Sequence, residues 1–160
     1  MSGAALPATV TRVVTRSRVL GVLGAAALLS LAACSSGSDG VTVDDAWGRP
    51  TAGGTNVAAF YGVITNNGDD QDRLVSAESS RCDVTQIHLS TMVDGVMSMA
   101  EADPGILVMD PGASLVLEPG GLHVMCMGLD AALVEGEIAV VTLTFETAGD
   151  VEVDIDVEQR

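Results

Sequence analysis

The sequence predicts an all-β sandwich or barrel behind a cleaved leader, and three observations carry that reading. Short β-branched runs recur, strong turn signals separate them, and no stretch after the leader sustains a 3.6-residue apolar period. At 160 residues the chain has room for one ordinary domain.

The leader comes first. Residues 1–33 contain no Asp or Glu, carry Arg12, Arg16 and Arg18, and then run apolar from Val19 to Ala33. A charged region followed by a hydrophobic one is the pattern of a secretion signal. It ends in Leu31-Ala32-Ala33-Cys34, which resembles the bacterial lipobox, in which the cysteine is lipidated and becomes the new N-terminus. A retained signal anchor is the alternative, but the apolar run of 15 residues is short for a membrane span. The expected organisation is a signal peptide at 1–33, a lipidated Cys34 and flexible tether at 34–40, and one β domain at 41–160.

Nine strands are expected in that domain: 41–43, 57–65, 73–79, 84–92, 96–100, 114–118, 122–127, 137–146 and 151–157. Most are rich in Val, Ile, Leu or Thr. Between them stand Asn66-Asn67-Gly68-Asp69, Asp94-Gly95, Asp110-Pro111-Gly112, Pro119-Gly120-Gly121 and Ala148-Gly149-Asp150, all turn formers. Trp47, Arg49, Asn56 and Tyr61 are assigned structural roles, and Met109 is read as core filler.

Charge narrows the partners. The chain has 22 acidic residues, seven arginines and no lysine, for a formal net charge of −15, which falls to −18 once the three leader arginines are removed. Such a surface repels nucleic acid and anionic headgroups, so membrane attachment is left to the lipid. Export also places Cys82 and Cys126 where thiols oxidise, which favours a disulfide between them over two buried free thiols. The geometry such a bond needs is beyond sequence.

Asp94-Gly95, flanked by Val93 and Val96, reads as a two-residue hairpin turn with positive φ at both positions. Residues whose numbers sum to 189 then stand opposite each other: Met92 faces Met97, Ser90 faces Met99 and His88 faces Glu101. By alternation His88, Met92, Met97 and Met99 share one side. In the later strand His123, Met125 and Met127 share a face, and Val124 and Cys126 take the other. Imidazole nitrogen and thioether sulfur are neutral, soft donors that suit Cu(I), whereas Mg²⁺ or Ca²⁺ would want carboxylates. Structural zinc would want thiolates on the histidine face, and neither cysteine is expected there.

At these residues the chain resembles the periplasmic copper(I) chaperones of the PCuAC type, here in a lipoprotein version. Their signature is His, ten residues, Met, twenty-one residues, His, one residue, Met. Here the order is His88, ten residues, Met99, twenty-three residues, His123, one residue, Met125. The resemblance extends over about 41–146, through Val43-Asp44-Asp45-Ala46-Trp47, Ala59-Phe60-Tyr61, Ile64-Thr65-Asn66-Asn67-Gly68-Asp69, Asp72-Arg73-Leu74 and Pro119 to Leu129. It implies a cupredoxin-like Greek-key barrel and names His88, Met99, His123 and Met125 as Cu(I) ligands, with Met92, Met97 and Met127 as accessory sulfurs. It also implies a monomer on the outer face of the bacterial cytoplasmic membrane, in the periplasm or at the cell surface. There it would pass copper toward an acceptor such as the cytochrome c oxidase subunit with the CuA site, or another copper-assembly factor. The spacing exceeds the signature by two residues, which turns between Met99 and His123 are expected to absorb.

Three other classes compete. A blue-copper electron carrier would need Cys126 as a thiolate ligand beside the histidines, and alternation turns Cys126 away. A structural or adhesive lipoprotein would use its methionines only as core, and copper storage would use the same ligands as a chaperone. No Ser-His-Asp or Cys-His-Asn arrangement points to an enzyme.

Overall fold

The computed structural model describes residues 40–51 and 55–160; the leader and Cys34 lie outside the described residues. The strands are β1 (Val41–Gly48), β2 (Val57–Asn66), β3 (Asp72–Glu78), β4 (Cys82–Val93), β5 (Val96–Glu101), β6 (Val108–Met109), β7 (Ser114–Leu117), β8 (Leu122–Leu129), β9 (Ile138–Phe145) and β10 (Gly149–Val157). A 3₁₀ turn at Pro104–Leu107 precedes β6. Neither β6 nor this turn is expected from the sequence: two residues are too few to show alternation, and Pro-Gly breaks the pattern before them.

Hydrogen bonding joins all ten strands in the order β5-β4-β8-β7-β2-β1-β10-β9-β3-β6, with β8 also paired to β2. The fold is all-β. The ladder curls so that one face turns inward, because Leu74 and Ala77 of β3 and Ile87 of β4, far apart in strand order, belong to one buried cluster. In β10 Val151, Val153, Ile155 and Val157 are buried while Glu152, Asp154 and Asp156 face solvent, a strict period of two. Met109 is in the core at 1% exposure.

Two local features shape the ladder around β2. Between Asp44 and Trp47 strand β1 bulges, and Asp45 takes φ 53°. The bulge lies against Gly62 (φ 156°), where an added Cβ would come within 3.2 Å of the Ala46 Cα, so a residue with a side chain would push the strands apart. At the end of β2, buried Asn66 donates through its amide to the carbonyls of Asp70 (2.8 Å) and Met109 (3.0 Å) and accepts from the Gly68 N–H. The Asn66–Asp69 turn is thereby tied to β6.

β7 and β8 run end to end along β2: residues 62–65 pair with 117–114 and residues 57–60 pair with 127–124. Glu118–Gly121 loops out between them, with Gly120 at φ 82°. The disulfide between Cys82 and Cys126 joins β4 to β8 from the core side, with Cys126 fully buried. It closes a separation of 44 residues, for which chain-entropy arguments give about 4 kcal/mol.

Asp72 anchors the β9–β10 turn to β3. Its carboxylate accepts from the backbone N–H groups of Arg73 (2.7 Å), Thr147 (2.8 Å) and Ala148 (2.9 Å). Burial pushes its pKa up, but the backbone donors outweigh burial and hold it below the ordinary carboxylate value of 3.8. Because the folded pKa is depressed, this stabilisation is complete above the unfolded value and is lost as pH falls through the folded one. Asp72→Asn is expected to cost about 2 kcal/mol at neutral pH. In thermal melts the gap between wild type and variant should close only below about pH 4; a gap that is constant down to pH 2 would contradict the assignment.

Candidate metal centre

The register of β4 determines the site. Asp94 and Gly95 take φ 52° and 80°, the two positive values of a type I′ turn. The pairs on its β5 side are Met92 with Met97, Ser90 with Met99, and His88 with Glu101, the pairing expected from the turn. On its other side β4 pairs with β8, setting His88 directly opposite His123, Gln86 opposite Met125 and Val84 opposite Met127. That second pairing joins residues distant in the chain and has no signal in the sequence.

Val124 and Cys126 point into the core, so by alternation His123 and Met125 occupy the other face of β8. The two imidazole centroids lie 6.0 Å apart, with the rings nearly perpendicular. His123 is 3% exposed and His88 is half-buried. An open cleft of about 430 Å³ adjoins His123, and Met97, Met99, His123 and Met125 all line it; His88 does not line it and reaches it only through His123, the ring it faces. The longer spacing between Met99 and His123 has therefore not moved either residue off the shared cleft. Met92 and Met127 do not line it: Met92 is two rungs from His88 toward the hairpin turn, and Met127 is two rungs from His123 at the opposite end of β8.

Hydrogen bonds assign the ring protons. Gly121 O can only accept, so His123 Nδ1, 3.0 Å away, donates to it and Nε2 keeps the lone pair. The same carbonyl also accepts from the Ser90 N–H at 3.0 Å, which ties the Glu118–Gly121 loop to β4. At the other ring, the Gln86 amide NH₂ donates to the Glu101 carboxylate (3.3 Å), which turns Gln86 Oε1 toward His88 Nε2 (3.1 Å). His88 Nε2 must then donate, leaving the lone pair on Nδ1. That Nδ1 is buried and has no hydrogen-bond partner among the described residues. A buried acceptor left unpaired costs stability unless something binds it. Holding one ring nitrogen so that the other can bind a metal is how metal-ligating histidines are oriented.

Tyr61 and Arg49, expected from sequence to have structural roles, line the same cleft. The Tyr61 ring lies 6.3 Å from His123 and 4.6 Å from Trp47, which Arg49 and Arg160 approach at 5.7 and 5.0 Å. Burial pushes the Tyr61 phenol up, with the Arg49 charge pulling the other way. It stays protonated at neutral pH and offers no anionic ligand. Among the described residues no three His, Cys, Asp or Glu side chains converge as a metal cluster. The donors the cleft brings together are the His123 imidazole and the Met97, Met99 and Met125 thioethers, with the His88 ring facing His123, and the disulfide removes Cys126 from the thiolate role a blue-copper centre would require.

Fold and site together define a class: a cupredoxin-like β domain with an imidazole and thioether cleft. The fold matches the apo PCuAC domain from PmoF1 (28% identity, TM-score 0.62, 75% of this chain and 94% of that one). It also matches the copper-bound PCuAC domain from PmoF2 (27% identity, TM-score 0.61, 75% and 93%) and apo-DR1885 from Deinococcus radiodurans (25% identity, TM-score 0.57, 99% and 97%). The family described as "Putative lipoprotein LpqE-like" matches residues 41–157. "Putative lipoprotein Lxx21020" from Leifsonia xyli subsp. xyli is 37% identical over 129 residues, covering 79% of this chain and 76% of that protein. The chain belongs to the LpqE-like family.

Nitrogen-15 NMR at a pH where both rings are neutral should find His88 as the Nε2–H tautomer and His123 as the Nδ1–H tautomer. Gln86→Leu should erase the preference at His88 and leave that at His123. The opposite tautomer at either ring of the wild-type protein would contradict the hydrogen-bond assignment.

Proposed function

We propose that this protein is an extracytoplasmic copper chaperone that carries Cu(I) as cargo on His88, Met99, His123 and Met125. One observation carries the proposal: two histidines from distant segments face each other on adjacent strands, each with an unprotonated ring nitrogen, beside a cleft lined by Met99 and Met125. Neutral donors leave the charge of a monovalent ion intact, and Cu(I) accepts the low coordination number that a few such ligands supply. The copper-bound state of the PmoF2 PCuAC domain supports the same choice of metal.

Carrying copper also requires letting it go. The cleft opens to solvent, and two of the four ligands are flexible thioethers, so an acceptor can replace them one at a time. Cu(I) stays Cu(I) throughout, since each step only exchanges one neutral ligand for another. The lipoprotein descriptions of the family and of the Leifsonia protein support lipid attachment, and the sequence Leu31-Ala32-Ala33-Cys34 makes Cys34 the attachment point, on the outer face of the cytoplasmic membrane. The CuA site of cytochrome c oxidase is the acceptor that the PCuAC resemblance implies.

Anaerobic Cu(I) titration against a competing chelator tests the metal assignment. Wild type should hold Cu(I) tightly, and His123→Ala with Met125→Ala should weaken binding by at least the roughly 10–100-fold that loss of an outer-shell partner costs. Copper that binds the double variant as tightly as wild type would exclude this cleft. Transfer from the loaded protein to a purified CuA domain tests the acceptor: failure there, with tight binding intact, would reject the delivery route alone.

A further inference from the structure

The β4–β5 hairpin carries more sulfur than the site at its base uses. From His88 toward the turn, the positions on the same face are Ser90 paired with Met99, then Met92 paired with Met97. Ser90 is buried at 6%, but the three methionines on that row are open, at 49% for Met99, 58% for Met97 and 63% for Met92. The opposite face of the hairpin tip is open as well, with Val93 at 59% and Val96 at 67%. Since both faces lie in solvent, Met92 and Met97 fill no core.

Their geometry suits a shared ion. Directly paired residues on antiparallel strands have Cβ atoms about 4.5–5.5 Å apart, and diagonal neighbours lie within reach of a long side chain. Met92, Met97 and Met99 therefore bring three flexible thioethers to one patch of the hairpin. The surrounding charge favours a cation: Asp94 stands at the turn and Glu101 at the base, and residues 82–101 contain no Arg or Lys. Met97 lines the cleft with Met99, His123 and Met125, whereas Met92 does not, so Met97 lies between the cleft and the hairpin tip.

We propose that Met92 and Met97 form a second Cu(I) site of thioethers through which copper enters and leaves, joined by Met99 only when the inner centre gives up its ion. The proposal rests on the Cu(I) reading of the inner site. The inner imidazoles release the ion while Met99 still holds it, and Met97 and Met92 then complete an all-sulfur shell at the exposed tip. No electron is transferred and no proton is required, because every ligand exchanged is neutral. An all-thioether shell lacks the imidazole nitrogens, so it holds copper more weakly than the inner site and hands it on more readily.

The test uses the full chain in detergent, titrated anaerobically with Cu(I) against bicinchoninate, as wild type, Met92→Leu/Met97→Leu and His123→Ala/Met125→Ala. Leucine keeps the apolar bulk and removes only the sulfur. Wild type should bind two equivalents, the second more weakly. The leucine variant should bind one with unchanged affinity, and should release it to excess chelator several-fold more slowly than wild type. In ¹³C-methyl methionine spectra, the Met92 and Met97 signals should shift mainly with the second equivalent. One equivalent and one release rate for both proteins would overturn the second site, and so would a second equivalent that survives in the leucine variant. In either case a loss confined to His123→Ala/Met125→Ala would leave the inner site standing. If none of the three proteins bound Cu(I), the inner and outer assignments would fall together.

Discussion

The register between β4 and β8 is the constraint on which the rest of the structure depends. Side chains alternate across a strand, so a slip of one residue would send His123 and Met125 into the core and bring Val124 and Cys126 out. In the observed register His88 meets His123 on one face while Cys126 reaches Cys82 on the other. Core packing and the disulfide thus stabilise, from inside, the pairing that builds the cleft outside. One strand, Leu122–Leu129, serves both.

Polar groups around the rings then convert proximity into a prepared ligand set. The Gly121 carbonyl accepts from both the Ser90 backbone and His123, so the loop between β7 and β8 fixes strand position and ring orientation through a single atom. Glu101 orients Gln86, which orients His88. Each ring is left with an unprotonated nitrogen, one of them buried with no partner among the described residues. An unfilled acceptor of this kind is a cost to the fold that binding of a soft cation would offset.

Much of the domain was legible because its physics is local. Alternation and turn residues located nine of the ten strands, and Asp94-Gly95 alone determined the pairing of β4 with β5. Parity then put the histidines and methionines on common faces. What could not be read depends on contacts between distant segments. The pairing of β8 with β4 has no sequence signal, so the direct opposition of His88 and His123 could not be derived, and the ring contacts of Gln86, Glu101, Gly121 and Tyr61 are side-chain and loop geometry that alternation does not report. Parity also cannot count rungs between strands that are not yet paired. Met92, Met97 and Met127 looked equivalent as accessory sulfurs, yet of these only Met97 lines the cleft.

X-ray absorption on the full chain loaded with one equivalent of Cu(I) tests the central claim most directly, because it counts the neighbours of the metal. A mixed shell of imidazole nitrogen and thioether sulfur is expected, with sulfur equal or in excess. A shell of oxygen and nitrogen without sulfur would contradict it.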